Sequence, residues 1–169
     1  MTGTPHFAAS CVCGRVVLEA TGDPIVSSIC YCDDCQAGAR LIEALPNAAA
    51  ILESDGGTAY LLFRKDRIRC AQNDALLKSY KLEETSATNR VVATCCNSAM
   101  FVNFDKGPYW VSAYRTRFHG DLPPVEFRIC TKFRAGDAKL PGDAPNYPGY
   151  PLRLIARLLV ARVAMLLGR

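Results

Sequence analysis

The chain has 169 residues, half of them apolar and 21% charged, with a net charge of +4. That balance predicts one domain with a sizeable core and excludes a disordered chain. The positive charge sits in residues 151–169, which hold Arg153, Arg157, Arg162 and Arg169 and no acid; sixteen basic and sixteen acidic residues remain in the body, so no basic face for nucleic acid is expected.

In chain order, residues 1–10 read as a loose start. No basic cluster leads into an apolar run there, so no secretory signal is expected and the predicted location is cytoplasmic. Nine cysteines in a reducing compartment point to metal or chemistry rather than to disulfides. Residues 15–20 are strand formers, Gly22-Asp23-Pro24 is turn chemistry, and residues 25–29 are a second strand candidate. Residues 36–50 are rich in alanine, with Leu41, Ile42 and Leu45, and predict a short helix before Pro46. Strands are expected over 58–63, 67–71, 76–82, 89–94, 100–104, 109–114 and 125–133. Many short strands with turns between them make residues 1–134 a mostly β domain.

Residues 135–151, with four prolines and three glycines, predict a linker. Residues 152–169 follow as a basic, apolar C-terminal segment that is helical over 152–167. On a helical wheel Arg153 and Arg157 lie on one flank and Arg162 and Arg169 on the other. Leu152, Ile155, Leu159, Val163 and Leu166 make one apolar face, and Leu154, Leu158 and Met165 another. A transmembrane span is disfavoured, because the segment is short and each central arginine costs roughly 2.5 kcal/mol or more to insert. Two readings stand: a helix docked on the body or on a second copy of the chain, or a helix lying in a membrane surface.

The thiols cluster. Cys30-Tyr31-Cys32-Asp33-Asp34-Cys35 puts three within six residues, Cys11-Val12-Cys13-Gly14 pairs two, and Cys95-Cys96 adds two more. Zinc takes thiolates at tetrahedral corners about 2.3 Å away, and a tight turn brings closely spaced cysteines onto one ion. Gly14 lets the backbone turn beside the first pair. The seven thiols are therefore read as one or two zinc sites. Cys70 and Cys130, isolated in β patterns, are read as small core residues. A redox reading of Cys32 and Cys35 is disfavoured by the two acids between them and by the lack of a βαβ pattern. Three protein sulfurs would leave the fourth zinc position open, the layout of catalytic zinc, and would suit a thiol substrate; four would make a structural site.

CxCG near the start, CxCxxC some 16 residues on, and an arginine-led cysteine pair about 60 residues later resemble the family of the glutathione-dependent formaldehyde-activating enzyme and centromere protein V. The resemblance covers roughly residues 7–133. It implies a β-tent-like fold of several small antiparallel sheets. It also implies a structural zinc on the first CxC and the late pair, and a second, catalytic-type zinc on Cys30, Cys32 and Cys35. The implied activity is carbon–sulfur bond making or breaking on a small thiol adduct such as that of glutathione. No catalytic residue beyond that open site is assigned.

Two departures stand out. Tyr31 occupies the position where the family has histidine. In the late motif, usually arginine then CxxCG, Ala93 stands at the first cysteine and Asn97 at the glycine. Cys96 fits the second cysteine, and Cys95 can share its ion only if the backbone kinks, since adjacent side chains of an extended chain point apart; either Cys95 substitutes, or the first site has three thiols, or the metals are rearranged. Among the remaining residues, His6 and His119 fall outside any ligand spacing, and Asp33 and Asp34 read as a solvated pair or as acids that orient the metal ligands. Tyr109, Trp110 and Tyr114 read as core or pocket wall, and Arg90 as a partner for a substrate carboxylate or for a structural acid. The expected function is a zinc-dependent carbon–sulfur lyase-like enzyme; the alternative is a non-catalytic zinc-stabilised binding module.

Overall fold

A computed structural model describes residues 4–136 and 139–168; Arg169 lies outside them. The described residues form β1 (His6–Ser10), β2 (Val17–Thr21), β3 (Val26–Cys30), α1 (Asp33–Glu43), β4 (Thr58–Arg64), β5 (Ile68–Gln72), β6 (Leu77–Tyr80), β7 (Thr88–Ala93), β8 (Ser98–Phe104), β9 (Trp110–Tyr114), β10 (Phe127–Ile129) and α2 (Leu152–Leu166). The fold is mostly β, as the sequence predicts. Its strands gather into two sheets, β1-β2-β5 and β10-β3-β4-β9-β8-β7-β6. All pairs are antiparallel except β10 with β3.

β4 explains the layering. Its first six residues are all buried, because both faces of the larger sheet are covered. Tyr60 and Leu62 project into one core with Val26, Ile42, Val102, Phe127 and Leu154, while Leu61 and Phe63 project into another with Ala9, Leu18, Ala20, Met100 and Ala113. The strand period of two sends alternate residues to opposite faces. The helices α1 and α2 thus cover one face of the larger sheet, and the small sheet covers the other.

β1 arises in the stretch read as a loose start. Its alanines are weak strand formers, and it exists by pairing along its whole length with β2. α1 begins before residue 36, immediately after Cys32, with Asp33 and Asp34 in the first turn, where acids complement the helix dipole. β10 is shorter than the alternating stretch 125–133, because Cys130 adopts a left-handed backbone (φ 59°) that ends the strand. Residues 143–149 run beside β10: the Arg128 N–H donates to the Pro145 carbonyl and the Tyr147 N–H to that of Arg128, each at 2.9 Å. α2 inserts Leu154 into the core, its Arg157 pairs with Glu126, and its Arg162 lies over the Tyr109 ring.

Candidate metal centres

The turn between β7 and β8 builds the first centre. Thr94 to Asn97 are not extended, and Asn97 takes φ 49°, a left-handed conformation that glycine favours and asparagine tolerates. Its side-chain amide donates to the Pro46 carbonyl at 2.9 Å. The chain therefore kinks after Ala93, and the neighbouring thiols of Cys95 and Cys96 lie 3.9 Å apart. Ala93 itself is buried in the core. The Cys11–Gly14 turn closes against this one, with Gly14 at φ 76° and its N–H donating to the Cys11 carbonyl. Sulfur separations are 3.5 Å for Cys11 and Cys13, 3.7 Å for Cys11 and Cys95, and 3.4 Å for Cys13 and Cys95.

Those distances test the fit to zinc. Sulfurs at tetrahedral corners about 2.3 Å from an ion lie about 3.8 Å from one another. A disulfide would need about 2.05 Å, and all of these cysteines are free. The thiols of Cys11, Cys13, Cys95 and Cys96 all lie within 4.8 Å of one another. Charge agrees: four thiolates around a divalent ion leave two negative charges, and two guanidinium groups, those of Arg15 and Arg117, adjoin the thiols. Ser98 ties the two turns together, accepting from the Val12 N–H at 3.0 Å and lying 3.0 Å from the Cys96 sulfur. The Arg15 backbone N–H, and after it the Cys95 thiol, pull the Cys13 thiol down to about 6. Burial, and after it Cys13, push Cys95 up to about 12.

The second centre lies on the helical face of the larger sheet. Cys30 closes β3, Cys32 sits at the cap of α1, and Cys35 lies in its first turn. Their sulfurs are again within 4.8 Å of one another, and no fourth described residue joins the group. The Cys30 thiol, and after it that of Cys35, pull Cys32 down to about 3; backbone N–H groups of Cys35 and Asp34 at the helix start assist. The same contact, felt from the other side, raises Cys30. The Tyr60 hydroxyl donates to the Cys35 sulfur at 3.7 Å, with the Tyr114 ring tilted against it at 5.1 Å between ring centroids. A cavity of about 220 Å³ opens beside the three thiols, walled by Leu62, Val102, Phe104, Trp110, Leu154 and Leu158.

The seven clustered thiols thus divide four and three, on opposite faces of one sheet. The other candidates fall elsewhere. Tyr31 is fully buried and turned away from the sulfurs, its hydroxyl donating to Asp55 at 2.7 Å. His119 hydrogen-bonds Ser10, and neither histidine joins a thiol group. Cys70 stands apart. Cys130 is buried close enough to Cys30 and Cys32 to interact with both, yet outside the three-sulfur group; burial and then the Tyr150 hydroxyl act most on its thiol, and the net effect is upward. Tyr60, Ser98 and the two flanking arginines escaped sequence reasoning, because no spacing rule links them to the cysteines.

A mostly β domain with two groups of free thiols at metal-ligating separation is a candidate metalloprotein, compatible with zinc. The model of the family described as glutathione-dependent formaldehyde-activating enzyme matches residues 6–118, and the chain belongs to that family. No curated protein matches it. A solved Rhodobacter sphaeroides protein, a Northeast Structural Genomics target, is similar over 82% of this chain and 98% of its own, at 15% identity and a TM-score of 0.49.

Proposed function

We propose that this chain is a zinc-dependent enzyme of carbon–sulfur lyase type, acting on an adduct of glutathione or another thiol at Cys30, Cys32 and Cys35. One contrast carries the reading: the centre with four sulfurs could fill every tetrahedral corner of an ion, whereas the centre with three adjoins a cavity. Cys11, Cys13, Cys95 and Cys96 would hold a structural zinc, and the other three thiols a reactive one. Zinc held by Cys30, Cys32 and Cys35 would supply Lewis acidity and would lower the pKa of a thiol bound beside them. In an S-hydroxyalkyl adduct, the electron pair of the broken carbon–sulfur bond stays on sulfur. The hydroxyl proton passes to that sulfur as the carbonyl forms, so thiol and carbonyl compound are released.

The protein's own residues arrange the rest. Cys32 takes its place at the start of α1, where backbone N–H groups favour a thiolate. Tyr60 holds Cys35 by a hydrogen bond, and the apolar walls exclude water from the reacting sulfur. The free thiols accord with a reducing, cytoplasmic setting. Zinc analysis with and without excess glutathione, together with Cys32→Ser, tests the proposal. The expected result is two zinc ions, one displaceable, and loss in a folded variant of turnover of the S-hydroxymethyl adduct of a small thiol. Unchanged turnover in Cys32→Ser would refute it, and one inert zinc would favour a binding module.

A further inference from the structure

Arg90 is the residue of the cavity that the proposed chemistry leaves unused. It is 3% exposed, yet no described carboxylate pairs with it. Its Nη2 donates to the Asp34 carbonyl at 2.6 Å, and its Nη1 is buried without a partner. The side chain reaches this position by crossing α1 at Gly38, where a Cβ would lie 1.8 Å from the arginine Nε. A buried guanidinium with a free donor is costly unless something completes it, and its planar fork matches a carboxylate. Arg90 lines the same cavity as Cys30, Cys32 and Cys35, between them the apolar walls already described.

Resting on the thiol-adduct reading, we infer that the substrate is the adduct of a small, mainly apolar thiol bearing one carboxylate, which Arg90 binds while the sulfur meets the three-thiol centre. At about 220 Å³ the cavity is smaller than the roughly 300–1,000 Å³ of sites for drug-sized ligands. Glutathione brings two carboxylates, an ammonium and two peptide units. The cavity offers one uncompensated cation, Arg90, and its lining holds no second basic side chain to receive a second carboxylate. A short ω-mercaptoalkanoate matches this lining.

Calorimetry on the zinc-loaded protein tests the assignment with a series of ω-mercaptoalkanoates, the alkanethiols and alkanoates of equal length, and glutathione. The best mercaptoalkanoate should bind at least about tenfold more tightly than its alkanethiol, the effect of a hydrogen bond to a charged group. It should also bind more tightly than glutathione. Arg90→Lys, which keeps the charge and loses the fork, should shrink the preference and leave alkanethiol binding in place. Equal binding of acid and alkanethiol, or tighter binding of glutathione, overturns the inference and leaves the thiol-adduct reading standing. If the alkanoate binds as well as the mercaptoalkanoate, the thiol-adduct reading falls, and the inference with it. The ligand pairs decide on the unaltered protein, whatever the fate of the variant.

A second observation stands on its own. The outer face of α2 exposes Leu152, Ile155, Leu159, Val163 and Leu166, with Leu152 82% and Leu159 62% exposed. Arg153 borders this face on one side and Arg162 on the other, and no acid lies in 151–169. No helix among the described residues is long and apolar enough to cross a membrane. We infer that α2 lies in the plane of an anionic lipid surface, apolar face down, with the Arg153 stem reaching to the headgroups and Arg162 adding positive charge from its place over the Tyr109 ring. Charge selects lipid over a second copy, since residues 151–169 of a second copy offer no acid to pair with these arginines. Co-sedimentation should show binding to vesicles containing phosphatidylglycerol, weaker binding to pure phosphatidylcholine, and loss of both in Leu159→Ser/Val163→Ser. Absence of sedimentation with the anionic vesicles, or a dimer that the double variant dissolves, overturns the inference.

Discussion

The sulfur of Cys95 lies 3.4 Å from that of Cys13, although 82 residues separate them. That contact is what the displaced cysteine of the late motif achieves, and it sets the first expectation. Cys95→Ser should lower the zinc content by one ion and reduce stability by about 3 kcal/mol or more, roughly 6–12 °C in Tm for a chain of this size. Zinc analysis and thermal unfolding measure both. Retention of two ions would show that Cys95 is not a ligand.

Asn97 makes that contact available. Asn97→Gly preserves the left-handed turn and should change stability by no more than about 1 kcal/mol. Asn97→Val forces a β-branched residue into the same backbone and should cost about 1–2 kcal/mol. It should also loosen the metal held by the four thiols, which competition with a chelator would record.

Gly38→Ala should displace Arg90, because the new methyl would occupy the path of the guanidinium. Overpacking of this kind costs about 1–3 kcal/mol. Urea unfolding should show that loss with both zinc ions retained. A neutral substitution would mean that Arg90 has another route.

Tyr31→Phe removes the hydroxyl that donates to Asp55 at 2.7 Å. It should cost about 0.5–1.5 kcal/mol, the range for one lost hydrogen bond, because the part-buried Asp55 carboxylate keeps Arg128 and the Gly57 N–H as partners. Zinc content and turnover should be unaffected, since Tyr31 faces away from the sulfurs. A fall in turnover at unchanged stability would place the side chain in the reaction after all.

Cys130→Ser and Cys70→Ser should each leave the zinc content at two ions, measured by elemental analysis. Cys130 is the sharper test, because it lies beside the three-thiol group without joining it. Loss of one ion in that variant would mean that the second centre closes on a fourth sulfur.

The residues themselves disclose much of this protein. Strand-length runs of apolar and β-branched residues announce a mostly β domain, since side-chain alternation is a local property of an extended chain. The short spacings CxCG and CxCxxC announce metal ligation, since a few residues of backbone suffice to aim two or three sulfurs at one point. β1 is invisible in the sequence, because its alanines form a strand only through β2. The partition of the thiols is decided by tertiary structure alone. Whether Cys95 meets Cys13 depends on a turn closed by Asn97, and whether Cys30 joins them depends on which face of the larger sheet each segment reaches. The cavity and the unpaired donor of Arg90 likewise exist only once α1, α2 and six strands have packed, because a guanidinium's partners are set by neighbours distant in the chain.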